Sequence, residues 1–406
     1  MTCAEMISGA ATGAAETTGV PSDIEGLRHA LITQRDYTLA ICADLPEALW
    51  EPRNFPFDVT INPPLWEIAH LAWFQELFAL RWRMDDVTGS RTPSCLGVAD
   101  QLFDSGRIAH GTRWDLAYPS KDICLDYMRR VHADVISALE KSGVNDRYGF
   151  QLVLVHEDMH AEAILMMLVQ IGQPLPKAVA SRVPLASHQF SPREIGVAGR
   201  LVHMGAMVVP ADGNARSFRF DNEKPGQIGR VAPFSIDARV VCAAEFAEFV
   251  ASSSYRDDRM WSEEGSVWRE DVTRKIHPQH SAVKSDDFAA MHVSFHEAQA
   301  YCRWKNRRLP TEVEWEHAAA SSDEFFASTG HVWEWTASMF APYAGFQAER
   351  YREYSEPWFH SHGVPHYVLK GGSFVTHPRL KYPQYRNFYT PERTDMFCGF
   401  RTCAIK

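Results

Sequence analysis

Apolar positions along the first part of the chain recur at helical spacing. Residues 22–43 (SDIEGLRHALITQRDYTLAICA) open on Ser22 and Asp23, residue types that cap helix starts. Pro63 and Pro64 then precede LWEIAHLAWFQELFALRW at 65–82, and proline suits a helix's first turn. After a polar loop with Pro93, Gly106, Gly111 and Pro119, Ser120 stands before a third helical pattern at 121–143. The fourth covers 150–172 and stops at Gly172 and Pro174. Four amphipathic helices with these breaks predict a four-helix bundle.

Beyond this the period is lost. Residues 174–194 (PLPKAVASRVPLASHQFSPRE) repeat Pro and Ser with no sustained pattern and read as a linker. After about residue 197, short β-like runs (RLVHMGA, FRFDNEKPG, VAPFSIDARVV, HYVLKGGSF) alternate with two helical stretches, 242–253 and 294–305. Helices and strands mixed without regular βαβ units predict an irregular α+β domain. The chain thus divides into a disordered tail (1–21), a bundle (22–173), a linker (174–196) and a second domain (197–406).

Composition narrows the partners. The net charge of -10 and the lack of a Lys/Arg run argue against nucleic acid and acidic membrane surfaces. No segment has the length and apolarity of a membrane span. Eight scattered Cys with no CxxC pair, and a start without a basic or apolar leader, predict a reduced cytoplasmic protein. Small-molecule chemistry is the expectation.

One motif carries candidate chemistry. His156-Glu157-Asp158-Met159-His160 places two imidazoles at i and i+4, on one helix face. Read literally it is HExxH, in which Glu157 would activate a zinc-bound water. His70, inside the apolar segment at 65–82, offers a third imidazole from a facing helix. His29, His110 and His132 read as ordinary polar residues. Three imidazoles without a thiolate suit zinc, iron, copper or nickel, and spacing does not choose among them.

The second domain carries an ordered set of short motifs: His203-Met204-Gly205, Phe220-Asp221-Asn222-Glu223, Arg308-Leu309-Pro310-Thr311-Glu312, Val332-Trp333-Glu334-Trp335-Thr336, Gly371-Gly372-Ser373-Phe374 and Gly399-Phe400-Arg401. Together they resemble the formylglycine-generating-enzyme (sulfatase-modifying-factor) domain, which is C-type-lectin-like. Val375 and Thr376 stand where a true formylglycine-generating enzyme needs a reactive cysteine, so its thiol chemistry is not expected. The bundle resembles the DinB-like domain, whose three-histidine site corresponds to His70, His156 and His160. The two domains in this order resemble the ergothioneine sulfoxide synthase and selenoneine synthase family.

That resemblance implies a nonheme Fe(II) enzyme that uses O2 to join sulfur or selenium to C2 of the imidazole of hercynine. It implies no water-activating role for Glu157, and a supporting role for Glu162 away from the ligand face. It places a proton-donating tyrosine at Tyr351 or, second, Tyr354. It places hercynine against Asn387, Phe388 and Tyr389, and a carboxylate against Arg107 and Arg113. Tyr389 replaces the acid that reads the amine of a thiol substrate, and Met159 replaces a polar residue between the ligands. Both departures favour a selenosugar donor, hence selenoneine synthase, over cysteine or γ-glutamylcysteine. A zinc hydrolase and a non-catalytic lectin-like binder are the competing readings.

Overall fold

A computed structural model describes residues 19–82, 92–143, 147–180, 193–206, 218–272, 288–359, 363 and 365–405. Residues 1–18 of the predicted tail and 181–192 of the predicted linker lie outside the described residues.

The bundle forms as expected, from α1 (Ile24–Cys42), α2 (Pro64–Gln75), α3 (Lys121–Glu140) and α4 (Tyr148–Gln170). Asp23 caps α1 by accepting from the Gly26 amide at 2.7 Å, and Ser120 caps α3. All twelve residues of α2 are buried, so α2 is not amphipathic. A helix apolar on every side belongs in an interior. Here α3, α4 and the 92–118 loop surround it. The helix predicted to run to 82 changes at Glu76 into a π-helical turn, Glu76–Arg81. Glu76 there accepts from the Cys95 amide and from the Ser94 and Tyr127 hydroxyls.

Among its described residues the second domain holds ten short strands in three sheets. One sheet pairs β1 (Glu194–Val197), β4 (Phe234–Asp237), β10 (Cys403–Ala404) and β5 (Arg307–Arg308) in that order. A ribbon joins β2 (Arg200–Met204) to β3 (Gln227–Val231). The third sheet runs β8 (Asn387–Tyr389), β7 (Tyr367–Lys370), β6 (Trp333–Met339), β9 (Cys398–Gly399). Its helices include α5 (Ala243–Ala251), α6 (Phe295–Trp304) and α7 (Glu312–Ser321). The β1 strand begins inside the segment read as linker. Phe220-Asp221-Asn222-Glu223, read as part of a strand, turns instead as a 3₁₀ helix, because the Glu223 carboxylate bends back to accept the Phe220 amide at 3.1 Å.

Several of the second domain's motifs serve as scaffold. Thr311 and Glu314 form a capping box on α7, and Glu314 also holds Arg308 by two 2.7 Å bonds. Trp315 and Trp335 are fully buried, and Trp315 donates to Glu334, the buried partner of Arg401.

Candidate metal centre and cavity

Helix α4 aims a different side chain in each direction. His156 and His160 face α2, where His70 meets them. Their candidate ligand nitrogens all lie within 4.8 Å of one another. His70 donates through Nδ1 to the Phe103 carbonyl at 2.8 Å, and His160 points Nδ1 at Glu67 Oε2 at 2.6 Å. Both contacts leave Nε2 free to bind a metal, the arrangement by which outer partners fix a ligand's tautomer. His156 Nε2 is buried with no hydrogen-bond partner, an orphan that a metal would satisfy. Phe74 stacks flat on His156 at 3.4 Å and Trp66 on His70 at 4.5 Å, locking both rings. Burial pulls the His70 imidazole down to about 3 and His156 well below its ordinary range, so both are neutral and ready to ligate. Burial alone would raise Glu67. The charge and hydrogen bond of His160 and a bond from Asn62 outweigh it and hold that carboxyl at about 2. The three residues fit a metal that takes nitrogen ligands, iron(II) included.

Glu157 points elsewhere. It is buried and bound two ways by Arg35, at 2.7 and 3.1 Å, and it accepts from Gln75 at 2.9 Å. A carboxylate engaged by three donors is in no position to deprotonate water at the histidines. The zinc-hydrolase reading fails on this geometry. Asp158 and Glu162 turn toward the second domain. Asp158 meets Arg379 at 3.4 Å. Glu162 accepts from Trp333 Nε1 at 2.8 Å, Ser373 Oγ at 2.6 Å and Thr376 Oγ1 at 2.7 Å. Ser373 reaches it because Gly371 and Gly372 both take positive φ, 91° and 80°, after β7. A Cβ on Gly371 would come within 3.0 Å of Trp315.

A cavity of about 960 Å³ opens between the domains beside this site. Its walls include every residue that the sequence placed near substrate: Arg107, Arg113, Met159, Tyr351, Tyr354, Asn387, Phe388 and Tyr389. The three histidines are not on its lining. Tyr351 connects the two, its ring set edge-on to His156 at 5.7 Å. Tyr354 stacks on Tyr351 at 5.7 Å, and its hydroxyl is shared with Tyr385 at 3.2 Å. Burial raises both phenols, which stay protonated at neutral pH.

The two arginines differ. Arg113 is buried, lies 3.8 Å over Trp66 and donates to Asn62 at 2.6 Å. It has no acidic ion-pair partner among the described residues. The Arg107 side chain is 65% exposed and already pairs with Asp104 at 3.3 Å. On the opposite wall, burial pushes the Tyr389 phenol up to about 12, and Arg393 covers its ring at 4.9 Å. Sequence reasoning missed Glu67, Asp158 and Arg379, and it set aside His110, which lines the cavity. Glu67 had a usable signal: a carboxylate on the helix of one ligand is a natural partner for another ligand's imidazole.

The chain matches the sulfatase-modifying factor enzyme 1-like domain at residues 191–329 and 324–405, more than half its length. It belongs to that family. In this member a DinB-superfamily region precedes the family domain, at residues 30–169. The chain is 29% identical to a hercynine oxygenase of Mycolicibacterium thermoresistibile, with 92% of this chain and 94% of that protein covered. It is 28% identical to the hercynine oxygenase of Mycolicibacterium smegmatis, over 85% of this chain and 91% of the other. Ergothioneine biosynthesis protein 1 of Schizosaccharomyces pombe is 23% identical over 81% of this chain and 50% of that one. With these relatives this family member is an enzyme, an oxygenase. No helix among the described residues is long and apolar enough to cross a membrane.

Proposed function

We propose that the enzyme is a nonheme iron(II) oxygenase that joins a chalcogen donor to C2 of the imidazole of hercynine, with a selenosugar as the donor. The observation that carries the reading is the juxtaposition of two things. Three imidazoles converge, two of them fixed from behind by Glu67 and Phe103. A cavity built by both domains stands beside them. Iron bound there would activate dioxygen and bring the two organic reactants side by side.

The side chains of this chain would do the rest. Tyr351, protonated and against His156, is the proton donor, and Tyr354 supports it by stacking. Arg113 is a buried cation with no ion-pair partner among the described residues, so it suits the hercynine carboxylate. Phe388 and Tyr389 offer ring faces to the trimethylammonium group, beside the Asn387 amide. Met159 presents an apolar, polarisable surface to the chalcogen.

The choice of donor rests on Tyr389. A neutral phenol there gives a hydroxyl-rich sugar a hydrogen-bond partner, and it offers an ammonium group no carboxylate. The second reading is an ergothioneine sulfoxide synthase using cysteine or γ-glutamylcysteine. The names of the relatives and the two arginines on the wall favour it. Iron-loaded protein supplied with hercynine and, in turn, a selenosugar, a thiosugar, cysteine or γ-glutamylcysteine decides between them by product mass. A selenium adduct formed fastest supports the first reading, and preference for γ-glutamylcysteine overturns it. Equal product with and without dioxygen overturns both.

A further inference from the structure

A run of tyrosines leads away from the metal centre into the second domain. Tyr351 stands edge-on to His156, with ring centroids 5.7 Å apart, and Tyr354 stacks on it at 5.7 Å and 21°. The Tyr354 and Tyr385 hydroxyls are 3.2 Å apart. Tyr382 meets Tyr385 edge to face at 5.7 Å. The Tyr382 hydroxyl donates to Glu223 Oε1 at 2.9 Å, while Glu223 Oε2 is buried without a hydrogen bond and faces Arg219 Nε at 3.7 Å. Arg219 lies 3.9 Å over the Tyr382 ring, with its side chain 21% exposed. The binding and chemistry proposed above use only the first two of these tyrosines. Neither Tyr382 nor Glu223 lines the cavity.

We propose that Tyr351, Tyr354, Tyr385 and Tyr382 form a relay that draws surplus oxidising equivalents away from the three-histidine site. The proposal rests on the reading of that site as one that activates dioxygen. Phenols are among the most easily oxidised side chains, and electrons tunnel readily between rings in near contact. An oxidised phenol is a strong acid and must shed its proton, so a relay needs an acceptor where the hole comes to rest. Glu223 is that acceptor, within hydrogen-bond reach of Tyr382 and with its second oxygen in an ion pair to Arg219 at 3.7 Å. Burial pushes its carboxyl up to about 7, which makes it a better base than an ordinary glutamate.

The step balances as follows. The oxidant is dioxygen, which iron bound at the histidines would activate when no donor substrate is present. Each dioxygen takes two electrons, one per tyrosyl radical formed, and two protons from solvent, and leaves as hydrogen peroxide. One electron passes to that site from Tyr351. Tyr354, Tyr385 and Tyr382 replace it in turn, so the first three phenols end unchanged. Tyr382 has lost one electron, and its proton has gone to Glu223. A reductant of the thiolate class refills it, two thiolates giving one disulfide for every two radicals, and Glu223 returns the proton. The relay spares the imidazoles that hold the metal from oxidation during uncoupled turnover.

The test uses the full chain, its Tyr382→Phe variant and, as a milder change, Glu223→Gln. Each is loaded with iron(II) without oxygen, and iron binding is checked by the spin signal of its nitric oxide adduct. Each is then exposed to dioxygen without hercynine or donor and freeze-quenched. Electron paramagnetic resonance reads the tyrosyl radical, and peptide mass spectrometry reads oxidised residues. The parent protein should show a tyrosyl signal, with oxidation concentrated at Tyr382. Tyr382→Phe should lose most of the long-lived signal and shift oxidation to Tyr351 and the ligand histidines, with coupled turnover unchanged. Glu223→Gln should shorten the life of the radical. Equal signal and equal histidine oxidation in parent and Tyr382→Phe overturns the relay. An iron-bound, catalytically competent parent without any tyrosyl signal overturns the relay alone. A chain that binds no iron overturns the relay and the proposed function together.

Discussion

The bundle holds its side of the junction from within itself. Glu67 and the Phe103 carbonyl orient His160 and His70, Arg35 retains Glu157, and Trp66 and Phe74 stack on the ligand rings. The second domain reaches the same junction by a few polar bonds onto α4: Arg379 to Asp158, and Trp333, Ser373 and Thr376 to Glu162. Its cavity residues come from loops, from the edge strand β8 and, at Trp333, from the start of β6. The bundle alone therefore carries all three candidate ligands, whereas the chemistry proposed there depends on what the second domain sets against it. The buried glutamates differ in the same way. Glu67 is held at about 2 by its partners, and Glu223 is pushed up to about 7 by burial.

The strongest test of that division removes a ligand. His156→Ala should abolish iron binding and activity while leaving the second domain folded, read by metal analysis and a thermal melt. Full iron binding in the variant would break the comparison at its root. Next in size is Tyr351→Phe. It should lower kcat by about 10²–10⁴-fold, the usual worth of a placed proton donor, with iron affinity unchanged. If iron affinity falls as well, Tyr351 belongs to the bundle's site, and the division between domains is wrong.

The titration of Glu223 sharpens the comparison through stability. Its folded carboxyl titrates near 7 against an ordinary 4.5. Between those values the folded chain binds more protons than the unfolded one, so stability is lost as pH rises through that window. The loss is on the order of 3 kcal/mol by pH 8. Glu223→Gln should abolish this slope, so that its melting temperature gains on the parent's as pH rises. A parallel pair of curves would mean that Glu223 is not pushed up.

The three-histidine cluster was legible because a helix fixes i and i+4 on one face, and because His70 stood out in an otherwise apolar helix. The walls of the cavity were legible only through family resemblance, since no spacing rule ties Arg113 to Asn387. What holds the halves together was not legible. Glu162 and its partners Ser373 and Thr376 are more than two hundred residues apart, and hydrogen bonds at that separation leave no local pattern. The same applies to Tyr382 and Tyr385, whose YPQY spacing matches no regular period. The β-like reading of Phe220-Asp221-Asn222-Glu223 failed because the Glu223 side chain, invisible to a pattern of apolar and polar positions, folds back on its own backbone.

Within the bundle, Glu67→Gln should weaken iron binding by about 10–100-fold, the usual cost of losing a carboxylate behind a ligand imidazole. A competition titration with a chelator reads it. Unchanged affinity would show that His160 is oriented by packing alone.

The smallest expected effect discriminates best between donors. Arg107 is largely exposed and already paired with Asp104, so Arg107→Ala should change stability by less than about 1 kcal/mol. Its effect on KM depends on what the second domain's wall is built to receive. A neutral selenosugar has no carboxylate for Arg107, so KM for the donor should hardly move. γ-Glutamylcysteine carries two carboxylates, and the loss of a nearby cation should then raise KM for that donor several-fold while sparing KM for hercynine. Measuring both constants in the variant separates the readings. A rise in hercynine KM alone would reassign Arg107 to the hercynine carboxylate and leave Arg113, the buried cation over Trp66, to face the donor.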